Sequence, residues 1–344
     1  MLFMVSMKDI AKKCGVSIAT VSKALNGYSD IGAEKREEIK RTAEEMGYLP
    51  NSYARALKTK RTYNLGILFV DEARSGLTHD YFSSIIESFK VTAEERGYDI
   101  TFVNCNMPGQ RQSYYEHCRY RGLEGIVVAC IDFYKPEAQE LIRSSLPVVT
   151  IDHVFDGRTA VVSDNVGGMR ELVRYVYSQG HTKIAYIHGL DSSTTRARLG
   201  SFYITLDELG IEVPEKYVRE AAYRDTFSTG KITDELLNLK DPPTCILCPD
   251  DFAAVGCINA IRERGMKIPE DISVAGYDGI TLSQVLEPKL ATLRQDTTTI
   301  GRRAAEELIR LIEQPKTALA EKIVVSGELM PGKSVGIIPQ GQVL

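Results

Sequence analysis

The chain has 344 residues, 43% of them hydrophobic and 26% charged, with a formal net charge of −4 and seven cysteines. This length suits two or three domains rather than one, and the lack of any run of about 18 apolar residues excludes a membrane-spanning helix. An odd set of thiols at 14, 105, 118, 130, 245, 248 and 257 does not describe a disulfide framework.

The opening MLFMV is too short for a signal segment, so a cytoplasmic protein is expected. The net charge hides an asymmetry. Residues 1–61 hold 12 of the 42 Lys and Arg but only 7 of the 46 Asp and Glu. A basic head on an acidic body is the balance that phosphate binding by one end requires.

In chain order, Ser6 with Asp9 forms a capping-box pattern that opens a short helix, and Gly15 ends it in a tight turn. Ser17 caps a second helix. Its Val21, Ala24 and Leu25 repeat at helical spacing and can close a small core with Ile10, Ala11 and Val16, leaving Ile18, Ala19, Ser22 and Lys23 outward. Two short helices joined through glycine, the second showing small, hydroxylic and basic groups, match the geometry that enters a DNA major groove. An ordinary helical hairpin inside a larger core is the competing reading. Ile39, Ala43 and Met46 then mark one face of a third helix, stopped by Gly47. Pro50 breaks the chain, and SYARALKTKR, opened by Asn51, has too few apolar groups to fold alone.

From Asn64 the pattern changes to apolar runs beginning near 65, 99, 123, 147, 160, 183, 244 and 272, alternating with helical segments. Such alternation implies parallel sheets covered on both faces, with ligands at the carboxyl ends of the strands. Asp71, Asp152, Asp164, Asp250, Asp251 and Asp278 follow the runs. The alternation pauses at Ser163 to Val166 and restarts, which divides the body into two lobes. The polar segment from 290 to 301, with short runs at 323 and 335, indicates that the chain crosses between lobes more than once. Cys245-x-x-Cys248 lies in the apolar TCILC with no second ligand pair nearby, so buried strand thiols are expected and no metal. His79, His117, His153, His181 and His188 form no H-E-x-x-H, and neither G-x-S-x-G nor a P-loop is present, so an enzyme is not expected.

The motifs KDIAKKCGVSIATVSKALNG, NSYARAL, RARLGSF, PDDFAAVG, ISVAGYDGI and LATLRQD, in this order over nearly the whole chain, resemble the lactose-repressor (LacI/GalR) family of bacterial transcription regulators. The resemblance implies an α/β architecture: a two-lobed, periplasmic-binding-protein-like body of parallel sheets with an N-terminal all-α helix-turn-helix head. It places the head at 1–50 and a hinge helix and linker at 51–61. The body is then 62–344, with an N-lobe of about 62–163 and 293–325 and a C-lobe of about 164–292 and 326–344. It implies a repressor acting as a homodimer on a near-palindromic operator. A small effector, often a sugar or nucleobase, would sit between the lobes, and no cofactor is implied.

Carried over residue by residue, the recognition helix runs from Ser17 to about Asn26. Ile18, Ala19 and Lys23 fall at base-facing positions, with Thr20 and Ser22 supporting phosphate contacts. The methyls of Ile18 and Ala19 suit a thymine methyl, and Lys23 suits guanine O6 or N7. Leu57 matches a leucine wedged into the central minor groove, with Ala54 and Arg55 just before it. In the cleft, Arg198 and Asp278 match the groups that grip the effector. Asp152, Asp250 and Gln295 are further candidates by their place after strands, and Phe82 and Tyr223 either stack on a ring or join the core. Asp250 stands where a number of relatives carry asparagine. A sensor acting without DNA is the alternative, against which stand the basic head and the lack of an export signal. The chain shows no heptad tail after its last strand, so assembly above a dimer through a tail is not expected.

Overall fold

The computed structural model describes residues 5–48, 61–70, 75–107 and 110–339, with the side chains of 106–111 left aside. The sequence-predicted hinge residues Asn51, Ala54, Arg55 and Leu57 lie outside the described residues, as does Asp71. The chain divides into two compact units, Met1–Thr62 and Tyr63–Leu344.

Among the described residues the first unit contains three helices, α1 (Met7–Cys14), α2 (Ile18–Leu25) and α3 (Ala33–Glu45). Each boundary has a local chemical cause. The Asp9 carboxylate accepts from the Ser6 backbone N–H (2.9 Å) and hydroxyl (2.6 Å), and Ser17 Oγ accepts from the Thr20 N–H (3.0 Å). Gly15 takes the left-handed conformation at φ 62°, which ends α1 and turns the chain. Ile10, Ala11, Cys14, Val21, Ala24, Ile39 and Ala43 close the core, with Val16, Leu25 and Met46 packed around it.

The second unit has two lobes, each with a six-stranded sheet. In chain order it runs β1 (Asn64–Phe69), α4 (Asp80–Glu95), β2 (Asp99–Phe102), the short pair β3 (Asn106–Met107) and β4 (Gln110–Arg111), α5 (Tyr114–Arg121), β5 (Gly125–Ala129), α6 (Pro136–Arg143), β6 (Val148–Ile151) and β7 (Thr159–Ser163). It continues through α7 (Asn165–Ser178), β8 (Ile184–His188), α8 (Ser193–Glu208), β9 (Val218–Glu220), α9 (Thr226–Leu237), β10 (Cys245–Leu247), α10 (Asp251–Glu263), β11 (Ser273–Asp278), α11 (Thr281–Val285) and β12 (Ala291–Arg294). It ends with α12 (Thr297–Glu313), β13 (Lys322–Val325) and β14 (Glu328–Met330).

The N-lobe sheet has the order β13-β7-β6-β5-β1-β2, and the C-lobe sheet β14-β12-β11-β10-β8-β9. Every neighbouring pair in the two sheets is parallel except β12 with β14. Central strands are buried on both faces, as in β5 and β6 where every residue is buried, because helices cover each side. Leu65, Ile67, Phe89, Val149 and Leu308 lie in the core on one face of the N-lobe sheet, and Leu68, Ile126, Val128 and Leu141 in that on the other. The C-lobe repeats this with Ile187, Ile246 and Val274 on one side and Tyr186, Leu247 and Tyr277 on the other.

Three elements differ from the sequence expectation. The polar segment near 290 contains the buried strand β12, which belongs to the C-lobe sheet, so the crossing expected at about 292/293 falls after Arg294. No strand forms at Val335; β14 closes the sheet edge instead, antiparallel to β12. The three-residue β9 was not anticipated, since VRE carries only one apolar residue. The chain thus passes between lobes three times, after β7, after β12 and after β13. On its second passage it forms α12, which lies so close to α4 that a Cβ at Gly301 would stand 2.3 Å from the Ile85 carbonyl.

Candidate functional site

In the head, α2 presents Ile18, Ala19 and Lys23 to solvent, with Ile18 51% exposed, while Val21 and Ala24 are buried. Ser17 is committed to the cap, and its hydroxyl also meets Thr20 Oγ1 at 2.8 Å. Asn26 closes the other end by donating from Nδ2 to the Ser22 carbonyl (2.5 Å). Lys23 is ion-paired with Asp30 in the loop that follows.

In the body, the carboxyl ends of β6, β10 and β11 bring the charged groups together. Arg198 on α8 is only 3% exposed. Its Nε donates to Asn165 Oδ1 (2.7 Å) and Nη1 to the Pro249 carbonyl (3.2 Å), and Nη2 stands 3.8 Å from Asp278 Oδ1. The guanidinium plane lies over the Tyr277 ring at 3.6 Å from its centroid, with the Tyr223 ring at 6.0 Å. These partners use two of its five N–H groups in close hydrogen bonds, which leaves donor capacity on Nη1 and Nη2.

Asp278 ends β11 at φ 106°, a conformation costly for a residue with a side chain. Its Oδ1 accepts from Gln295 Nε2 at 2.6 Å. Burial pushes this carboxyl up to about 7, against the pull of Arg198, and the Asp250 and Asp152 carboxylates add to the rise. From the other lobe, Asp152 also has a left-handed backbone, φ 55°. It accepts from the Tyr81 hydroxyl (2.6 Å) and the Ser163 N–H (3.0 Å), and burial raises it too. The Asp152 carbonyl accepts from Ser193 Oγ of the C-lobe at 2.9 Å. The Tyr186 and Tyr277 hydroxyls and Gln295 Oε1 are buried and meet no hydrogen-bond partner among the described residues. Buried polar atoms left so are costly unless something else satisfies them.

Tyr223 packs its ring against Gly189, where a Cβ would stand 2.2 Å away, and its hydroxyl meets Thr195 Oγ1 at 2.9 Å. Phe82 is half-buried against Phe69 and His79, and its neighbour Tyr81 is the residue that reaches Asp152. Asp250 also has a local structural role. Its Oδ1 accepts from the Ala253 N–H (2.8 Å) and Oδ2 from the Arg224 N–H (2.7 Å), so it caps α10 and anchors a loop rather than presenting a free carboxylate. Arg224, held at φ 61°, stacks on Phe252 and spans the lobes to Asp80 Oδ2 (3.1 Å) and the Thr78 carbonyl (3.2 Å). Sequence reasoning missed Tyr81, Asn165, Tyr186, Arg224 and Tyr277. Tyr277 alone had a signal, standing beside Asp278 in the motif that named it. Cys245 and Cys248 are buried thiols, and no metal-binding cluster occurs among the described residues.

The fold and these groups define a class: a helix-turn-helix DNA-binding unit joined to a two-lobed body with a polar interlobe cleft. Residues 6–51 match the model of the bacterial regulatory proteins of the lacI family, and residues 173–335 that of the periplasmic binding protein-like domain. The probable HTH-type transcriptional repressor ExuR of Bacillus subtilis (strain 168) is 31% identical over 335 residues, 96% of this chain and 98% of the relative. The lac repressor dimer bound to operator and the anti-inducer ONPF superposes with TM-score 0.82 at 25% identity, covering 97% of this chain and 99% of that one. The CelR–cellobiose complex superposes with TM-score 0.69 at 25% identity, covering 96% and 99%. The chain belongs to the lacI family of bacterial regulatory proteins and is a DNA-binding transcriptional regulator.

Proposed function

We propose that the protein is a cytoplasmic homodimeric repressor that binds a near-palindromic operator, its affinity set by a neutral, hydroxyl-rich small molecule held between the lobes. Ile18, Ala19 and Lys23 read bases and Thr20 and Ser22 meet phosphates. The effector contacts Arg198, Asp278 and Gln295, with Asp152, Tyr223 and Phe82 bordering it. The observation that carries the cleft reading is the Arg198–Asp278–Gln295 group: guanidinium donors, a carboxylate acceptor and an unsatisfied amide oxygen adjoin one another, largely withdrawn from solvent. A sugar hydroxyl both donates and accepts, so vicinal hydroxyls satisfy this set with directional bonds. The CelR structure holds cellobiose, which supports the same class of effector.

Binding in such a cleft alters DNA affinity only if the effector prefers one lobe arrangement; a 100-fold change in operator affinity corresponds to about 2.7 kcal/mol of coupling. The test is a thermal-shift and calorimetric screen of neutral pentoses, hexoses, disaccharides and purine bases against the full-length protein, repeated on Asp278→Asn. A ligand that binds wild type, fails with the variant and shifts operator affinity supports the assignment. A ligand bound equally well by both places the effector elsewhere.

A further inference from the structure

Lys23 is the single ionisable side chain of α2, and it does not point freely into solvent. Gly27, at φ 77°, turns the chain back after the helix, and the Tyr28 N–H donates to the Lys23 carbonyl at 3.1 Å. This brings Asp30, seven positions on, onto the Lys23 ammonium as an ion pair whose side chains are 50% and 53% exposed. The contact raises the Lys23 ammonium and lowers the Asp30 carboxyl from their ordinary values. An exposed pair of this kind contributes little to folding. Its consequence lies on the face that the helix presents.

We propose that Asp30 is a specificity-determining residue of the head, reading cytosine through its N4 amino group while Lys23 reads the paired or adjoining guanine. The proposal rests on the reading that α2 enters the major groove. Because Asp30 is bonded to Lys23, its carboxylate lies one ion pair away from any base edge that Lys23 touches. Guanine offers O6 and N7 as acceptors and its cytosine offers the N4 amino group as donor, side by side in that groove. Over a G·C pair both members of the couple find partners. On an arbitrary sequence Lys23 reaches phosphate only by leaving Asp30, whose carboxylate then sits unpartnered in the field of the backbone. Asp30 therefore selects by repulsion from wrong sites as well as by attraction to right ones.

The experiment uses full-length protein and a random-sequence duplex pool. Wild type, Asp30→Asn, Asp30→Ala, Lys23→Ala and the double variant each select a consensus. Their affinities for the wild-type consensus and for a scrambled duplex are then followed against salt. Asp30→Asn is expected to bind the scrambled duplex about 5- to 10-fold more tightly, to steepen its salt dependence by about one counterion per half-site and to relax one symmetric pair of consensus positions. The Lys23 and Asp30 effects on the ratio of specific to scrambled affinity should be non-additive, since the residues act as a couple. A sharp wild-type consensus that Asp30→Asn leaves unchanged, or additive effects, overturns the role of Asp30 alone. A wild type that enriches no consensus overturns the groove reading along with it.

Discussion

The head and the cleft arrange their polar groups in opposite ways. The head exposes the groups proposed to read bases on a helix whose core and caps are made by other residues, so recognition and folding are separable there. In the cleft, Arg198 is at once the donor proposed for the effector and the partner of Asn165, Pro249 and Asp278. Substitution on the helix surface therefore tests recognition, whereas substitution in the cleft tests recognition and folding together.

The sharpest break of this comparison is Arg198→Ala. It strands Asn165 Oδ1, the Pro249 carbonyl and a buried Asp278, and should cost about 3–5 kcal/mol of body stability in urea denaturation, with the head's unfolding unaltered. A loss below about 1 kcal/mol would show that the cleft separates binding from folding as the head does. Next in size is Lys23→Ala, expected to cost about 1–3 kcal/mol per half-site in operator affinity, read by gel shift, with no change in melting temperature. A lowered melting temperature would place Lys23 in the structural set.

The smallest effect concerns Asp278. Its carboxyl titrates near 7 in the folded protein, above the ordinary range, so between about pH 4 and 7 the folded state keeps a proton that the unfolded state has released. Stability contributed at this position is present below the unfolded value and is lost as pH rises through that window. Between pH 6 and 8 the loss should be about 1 kcal/mol, and Asp278→Asn should abolish it. Identical pH profiles for the two proteins would refute the assignment.

The same contrast explains what the sequence disclosed. The caps at Ser6 and Ser17, the turn at Gly15 and the three-helix core follow from contacts a few positions apart, and were legible residue by residue. The alternation of strands and helices was equally plain because buried central strands are continuous apolar runs. Arg198 and Asp278 were reached through motifs. Their partners were not, since Asn165 lies 33 positions from Arg198 and Pro249 lies 51 away, distances closed only by strand order. Asp250 was reached by its place after a strand, which suits a ligand or a helix cap alike, and the Ala253 and Arg224 amides use it as a cap. Edge strands such as β9 and β14 are only three residues long, too short to announce themselves.

The three passages between lobes also set an order of assembly on the ribosome. The head can fold as soon as it emerges, because everything it needs lies before Thr62. The N-lobe, though it begins next, cannot close: Ile300, Ala304, Ala305, Leu308 and Ile309 of α12 and Val325 of β13 are part of its core, and all are synthesised after most of the C-lobe. The C-lobe in turn waits for β14 to cover β12. A nascent or prematurely terminated chain therefore carries a finished DNA-binding unit ahead of two unfinished sheets, and the cleft between the lobes is the last part of the molecule to come into being.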